Sequence, residues 1–225
     1  MSARAIGIFP TVIYCNNLNP MINQLLLPEI EPYRFSSDQI QGEYLGLADM
    51  HLAESLSEFY QIISSEARIY IETLGINNDL FDLYFVKSTL SKLSTPEQHF
   101  VTHKHHCSDI SFVYYVQVPP GSDTLYFLNE HKPNELFGYM FNHDRDRSMI
   151  ANINAFNAIT HNIDPEPGLL VLFPGKTPHG TRNLSDTPFS GERIAIVGDI
   201  NLVLKPEHNN WDTGKVNLSN WRKFT

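Results

Sequence analysis

The sequence predicts an α+β fold, mainly β, with one helical layer packed on a sandwich or jelly roll of antiparallel sheets. Three observations carry this expectation. Apolar residues recur at helical spacing between Asp49 and Leu74, the texture then changes to short β-rich runs, and turn residues punctuate those runs. A chain of 225 residues with 42% hydrophobic content can bury one full-sized core. Residues 1–225 are therefore expected to form a single domain, helical over about 15–80 and β over about 83–205.

The elements follow in order. Residues 1–16 hold an early arginine and a short apolar run broken by Pro10, without the long apolar stretch of a signal peptide. No segment approaches the ~20 apolar residues of a membrane helix, so a soluble, cytoplasmic protein with no membrane partner is expected. Leu52, Leu56, Phe59, Ile63, Ala67, Tyr70 and Leu74 then mark one buried stripe of a long amphipathic helix, and Gly75 supplies its C-cap. Strands are expected at 83–93, 100–102, 111–118, 124–128, 149–153, 169–173 and 194–203. Pro119-Pro120-Gly121 and Pro165-Glu166-Pro167-Gly168 separate them. Residues 169–173 are apolar without alternation, which predicts a strand covered on both faces. The irregular stretch 129–164 reads as a long insertion of the kind that carries lids and substrate loops, and its charge run His143–Arg147 as solvated.

Composition removes several function classes. Charged residues are only 18% of the chain, so the signature of disorder is absent. Sixteen basic against twenty-five acidic side chains, a net charge of −9, disfavour nucleic acid as a partner. Cys15 and Cys107 make no disulfide framework and point to a reducing compartment. Ten histidines are the unusual feature.

The densest chemistry lies in His103-Lys104-His105-His106-Cys107-Ser108-Asp109. Side chains at i and i+2 of an extended chain leave the same face, so His103 and His105 can converge on one metal while His106 points away. His179, after the run 169–173 and the turn Pro174-Gly175-Lys176-Thr177-Pro178, is the best third ligand. Fourteen residues beyond His179, Arg193 opens the last apolar strand, where a cation is costly unless paired. A dicarboxylate would supply that partner through a bidentate contact. Arg182, nearer the turn, is a weaker rival for that role, and Cys107 stands outside the ligand set.

These residues also carry a resemblance. His103-x-His105, the runs 111–116 and 125–127, Pro119-Pro120-Gly121, Pro167–Pro174, Pro178-His179 and Arg193-Ile194-Ala195-Ile196 occur in an order similar to that of the Fe(II)- and 2-oxoglutarate-dependent oxygenases. The similarity is greatest to a branch with an H-x-H motif near the prolyl 4-hydroxylase-like enzymes, and it runs over roughly residues 83–203. It implies a double-stranded β-helix (jelly roll) with N-terminal helices packed on one sheet, Fe(II) as cofactor, and 2-oxoglutarate and O2 as cosubstrates. It implies an oxidoreductase, a dioxygenase that hydroxylates a small-molecule or peptide substrate, with a prolyl residue as one option.

Carried over residue by residue, His103 and His179 fall at the two histidine ligands. His105 falls where most of the superfamily has the carboxylate of H-x-D; it is expected to ligate, with Asp109 as the alternative third ligand in its place. Arg193 would grip the distal carboxylate of 2-oxoglutarate, and Tyr115 would donate a hydrogen bond to it. The competing reading is a cupin-type metal-dependent enzyme or a sugar or small-molecule binding module, with His103, His105, Asp109 and His179 as ligands. That reading leaves Arg193 without a role.

Overall fold

The computed structural model describes residues 7, 10–19, 21–33, 43–45, 49–141, 149–185 and 190–208. Nine strands and two helices lie within them. The strands are β1 (Tyr14–Asn17), β2 (Glu43–Leu45), β3 (Phe81–Leu93), β4 (Ile110–Gln117), β5 (Thr124–Leu128), β6 (Thr160–Ile163), β7 (Leu169–Pro174), β8 (His179–Arg182) and β9 (Arg193–Leu204). The helices are α1 (Met21–Ile30) and α2 (Ser57–Thr73). No helix among the described residues is long and apolar enough to cross a membrane.

Two antiparallel sheets result. The larger runs β1-β7-β4-β9-β3-β2 and the smaller β6-β5-β8. Alternation along β4 divides the apolar side chains between two clusters. Phe112, Tyr114 and Val116 face the helices, packing with Leu26, Ile30, Phe59, Ile63 and Tyr70. Val113 and Tyr115 face the small sheet, meeting Leu125 and Phe127 of β5. β7 repeats the division, with Leu170 and Leu172 on the helical side and Leu169, Val171 and Phe173 between the sheets. This is why residues 169–173 read as uninterrupted apolar sequence: both faces of the strand are covered.

α2 ends as the sequence predicts. Gly75 takes φ +74° and its N–H bonds to the Glu72 carbonyl, while Ile76 N–H reaches back to the Ile71 carbonyl. That pair of bonds is a Schellman cap, and its left-handed residue is the position glycine suits. The start of the helix differs. Residues 50–56 are not α-helical but two short 3-10 turns, Met50–Leu52 and Glu54–Leu56, joined through extended Ala53. Asp49 bridges to Ser88 of β3, so this stretch lies along the sheet, with Met50 and Leu56 buried and Leu52 exposed.

Three further expectations are corrected. Residues 100–102 and 149–153 form no strand, and β6 lies inside the expected insertion, pairing with β5. The chain near 100–103 is held instead by single bonds to β8, Thr181 N–H to Phe100 O and a bridge from His103 to His179. β1, β2 and β8, short strands without a run of apolar alternation, were not expected. The charge run His143–Arg147 lies outside the described residues.

Candidate active site

The site is assembled by main-chain bonds before any side chain is considered. His179 opens β8, and its backbone exchanges both hydrogen bonds with His103, N–H to O at 2.9 and 3.0 Å. His105 N–H bonds to the Gly175 carbonyl in the turn after β7. These contacts bring the three imidazoles together, with ring centroids 4.4 Å apart for His103–His179 and 5.2 Å for each of the other two pairs. His106 and Cys107 are exposed. His103, His105 and His179 form a set of donors, all within 4.8 Å of one another, that could hold a metal ion.

Their second nitrogens are already engaged. His103 Nδ1 lies 2.8 Å from the Val101 carbonyl and His179 Nδ1 2.8 Å from the Thr177 carbonyl. His105 Nδ1 lies 2.5 Å from Asp199 Oδ1. A carbonyl or carboxylate beside Nδ1 fixes it as the protonated nitrogen and leaves Nε2 with its lone pair, the form a metal requires. Burial pushes the His179 imidazolium down to about 3, opposed by its bond to Thr177 and reinforced by the other two histidines. His103 is lowered in the same way, burial first. Both rings are neutral at neutral pH. The donor set suits a divalent transition metal.

Arg193, first residue of β9, is 2% exposed and lines the same cavity as the three histidines. Its guanidinium stacks 4.9 Å above the Tyr115 ring, and Nη2 donates to the Tyr115 hydroxyl at 3.2 Å. Nε and Nη1 are buried without a hydrogen-bond partner. Two unpartnered N–H groups of a buried guanidinium are a receptor for a carboxylate. Tyr115 accepts from Arg193, so the proton of its own hydroxyl is available to a second acceptor. Val113, Phe173 and Leu125 supply apolar wall, and Ser91 and Thr181 lie beside it.

The other sequence candidates go elsewhere. Asp109 turns its carboxylate to the Leu202 N–H of β9 and does not join the histidines. Arg182 lies over Tyr126 and donates to Thr160 and Asn162 of β6, so it does not compete with Arg193. Two carboxylates were missed by sequence reasoning. Asp199 binds His105 and also accepts from Ser111 Oγ at 2.7 Å. Burial alone would raise its carboxyl, but the bond and charge of His105 and the Ser111 hydroxyl hold it below the ordinary range. The available signal was its place six residues after Arg193, on the same face of an apolar strand. Asp123, wholly buried ahead of β5, is raised by desolvation and drawn back first by the nearby charge of Arg193.

With this geometry in place the comparisons are specific. Residues 91–199, which contain all three histidines and Arg193, match the family described as "Putative 2OG-Fe(II) oxygenase". Among solved structures, a prolyl-4-hydroxylase of Pseudomonas putida is similar, with 16% identity over 84% of this chain and 92% of that one, at a TM-score of 0.53. HygX of Streptomyces hygroscopicus, solved with nickel, 2-oxoglutarate and hygromycin B, is 9% identical over 84% and 82% of the two chains, at 0.54. The non-heme α-ketoglutarate-dependent epimerase SnoN of nogalamycin biosynthesis is 12% identical over 87% and 82%, at 0.53. No curated protein matches the sequence. The match runs from the end of β3 to Asp199, just under half of the chain, and together with the histidine cluster it supports an oxidoreductase, a dioxygenase.

Proposed function

We propose that this protein is an Fe(II)- and 2-oxoglutarate-dependent dioxygenase that hydroxylates a small-molecule or peptide substrate. One observation carries the reading: three imidazoles with Nδ1 engaged and Nε2 free share a cavity with a buried guanidinium that has two unpartnered nitrogens. In this reading the fold is a double-stranded β-helix, the two sheets being its two walls, and residues 1–225 form one domain. Exposed, unpaired Cys15 and Cys107 fit a reducing cytoplasm.

His103, His105 and His179 hold the iron through Nε2. When bound, Fe(II) supplies the open coordination positions at which 2-oxoglutarate and O2 are activated. The chain's own residues do the rest. Arg193 would take the distal carboxylate of 2-oxoglutarate on Nε and Nη1, and the Tyr115 hydroxyl, which accepts from Nη2, would donate its own proton to the same carboxylate. Burial of both groups excludes water from the charged contact and strengthens it. The apolar wall of Val113, Phe173 and Leu125 would keep the cosubstrate chain dry. The cupin reading is not favoured, because Asp109 stands away from the histidines and Arg193 lines their cavity.

The test is succinate formation from 2-oxoglutarate with Fe(II) and ascorbate, with prolyl peptides and small molecules as the substrate panel, alongside anaerobic binding of each component. His179→Ala is expected to abolish iron binding and turnover together. Arg193→Ala is expected to spare iron and weaken 2-oxoglutarate binding by about 30-fold or more, the cost of removing one partner of a buried charge pair. Loss of iron from Arg193→Ala would refute the role given to Arg193.

A further inference from the structure

We infer that Asp199 is the anionic positioning residue of the metal centre, holding His105 as the Nδ1–H tautomer. It also restores, one hydrogen bond away from the metal, the negative charge that an H-x-D sequence would place on it directly. The inference rests on the reading of His103, His105 and His179 as ligands.

The three histidines are not equivalent. His103 and His179 give their Nδ1–H to backbone carbonyls, which are neutral acceptors. His105 alone gives it to a carboxylate. It is also the residue that stands where most of the resembling sequences carry an acid. Three neutral imidazoles leave the full charge of a divalent ion uncompensated in a half-buried site, which is electrostatically expensive. A carboxylate hydrogen-bonded behind a ligand imidazole draws on the N–H, makes Nε2 a stronger donor and returns negative charge to the cluster.

Asp199 is built for this. It is only 7% exposed, in a strand whose preceding residues Ile194–Gly198 are uncharged. Register places it opposite Ser111 of β4, and the Ser111 hydroxyl donates to the same oxygen, Oδ1, that His105 engages. Two donors on one oxygen, with both strands in the centre of a sheet, leave the carboxylate little freedom to turn. On β9 it lies six residues after Arg193 and on the same face, so one strand carries both the cation proposed for the cosubstrate and the anion behind His105.

The experiment is an anaerobic calorimetric titration of the full chain with Fe(II), and in parallel with Co(II), without 2-oxoglutarate. Asp199→Asn keeps an acceptor oxygen for His105 and removes the charge; Asp199→Ala removes both. Expected are weaker binding of about 10-fold for Asp199→Asn and toward 100-fold for Asp199→Ala, with the visible band of bound Co(II) shifted in both. In a His105→Ala background, Asp199→Asn should change nothing further, because Asp199 acts through that ring. Metal-free melting curves establish that each variant folds, and Asp199→Asn alone decides the matter if Asp199→Ala does not. Wild-type affinity in Asp199→Asn, or an equal loss with and without His105, overturns the inference while leaving the metal centre standing. A wild-type chain that binds neither ion overturns the metal-centre reading, and this inference with it.

Discussion

Burial keeps His103 and His179 neutral, the form in which an imidazole can take a metal. The folded His179 holds its proton only below about 3, whereas an ordinary imidazole titrates near 6.5. Between those values the unfolded chain binds a proton that the folded chain does not, so stability rises with pH across the window and is lost as pH falls. His103, also lowered, adds in the same direction, and Asp199, held below 3.8, extends the loss further into acid. The metal-free protein is therefore expected to melt at progressively lower temperature as pH is taken down from about 6.5, and His179→Ala should flatten that slope in circular-dichroism melts. Tyr115→Phe removes the hydroxyl that accepts from Arg193. Calorimetry should show 2-oxoglutarate binding weakened by about 10- to 100-fold, the worth of one hydrogen bond to a charged group, with iron affinity unchanged. The histidine pair was legible because a two-residue spacing puts both rings on one side of an extended chain. Asp199 was not legible as the partner of His105, since the two lie 94 residues apart and meet only through the pairing of β4 with β9.

At the scale of elements, long and strongly patterned segments were readable and short ones were not. β3, β4, β5, β7 and β9 lie where apolar runs predict them, and α2 ends at its glycine cap. β8 has only four residues, His179–Arg182, and its place is dictated by what it touches rather than by what it contains. Gly180 illustrates this. A Cβ there would lie 2.7 Å from the Phe100 carbonyl and 2.8 Å from the Tyr126 hydroxyl. The stretch leading to His103 packs directly against this position, so the histidine segments can approach only across a glycine. Gly180→Ala is expected to destabilise the fold by about 1–3 kcal/mol as an overpacked site and to weaken Fe(II) binding, measured by urea unfolding and by titration. Wild-type iron affinity in that variant would separate the close approach from the metal centre. The front of α2 was misread because Leu52 and Leu56 keep a helical spacing, yet they lie in two separate 3-10 turns, and Leu52 faces solvent while Leu56 reaches the core.

For the whole molecule, the large sheet is the common wall of two clusters, one shared with the helices and one with the small sheet. Leu172 sits in the first, fully buried at the centre of β7, and Leu172→Ala should cost about 2–5 kcal/mol in chemical unfolding. A metal that binds only the folded chain should recover part of such a loss, by about 2.7 kcal/mol at a hundredfold excess over its dissociation constant. His179→Ala should abolish that recovery. The layered architecture was predictable because β-rich runs followed a helical one. The pairing of β6 with β5 was not, because Thr160–Ile163 lacks the apolar alternation that betrays a strand.

The reciprocal backbone bonds between His103 and His179 have one more consequence. They work as a clasp of main-chain atoms alone, which holds the two segments together whatever side chains surround them. The side chains that line the cavity can thus be exchanged one at a time to alter selectivity, while the backbone keeps the spacing of the two rings.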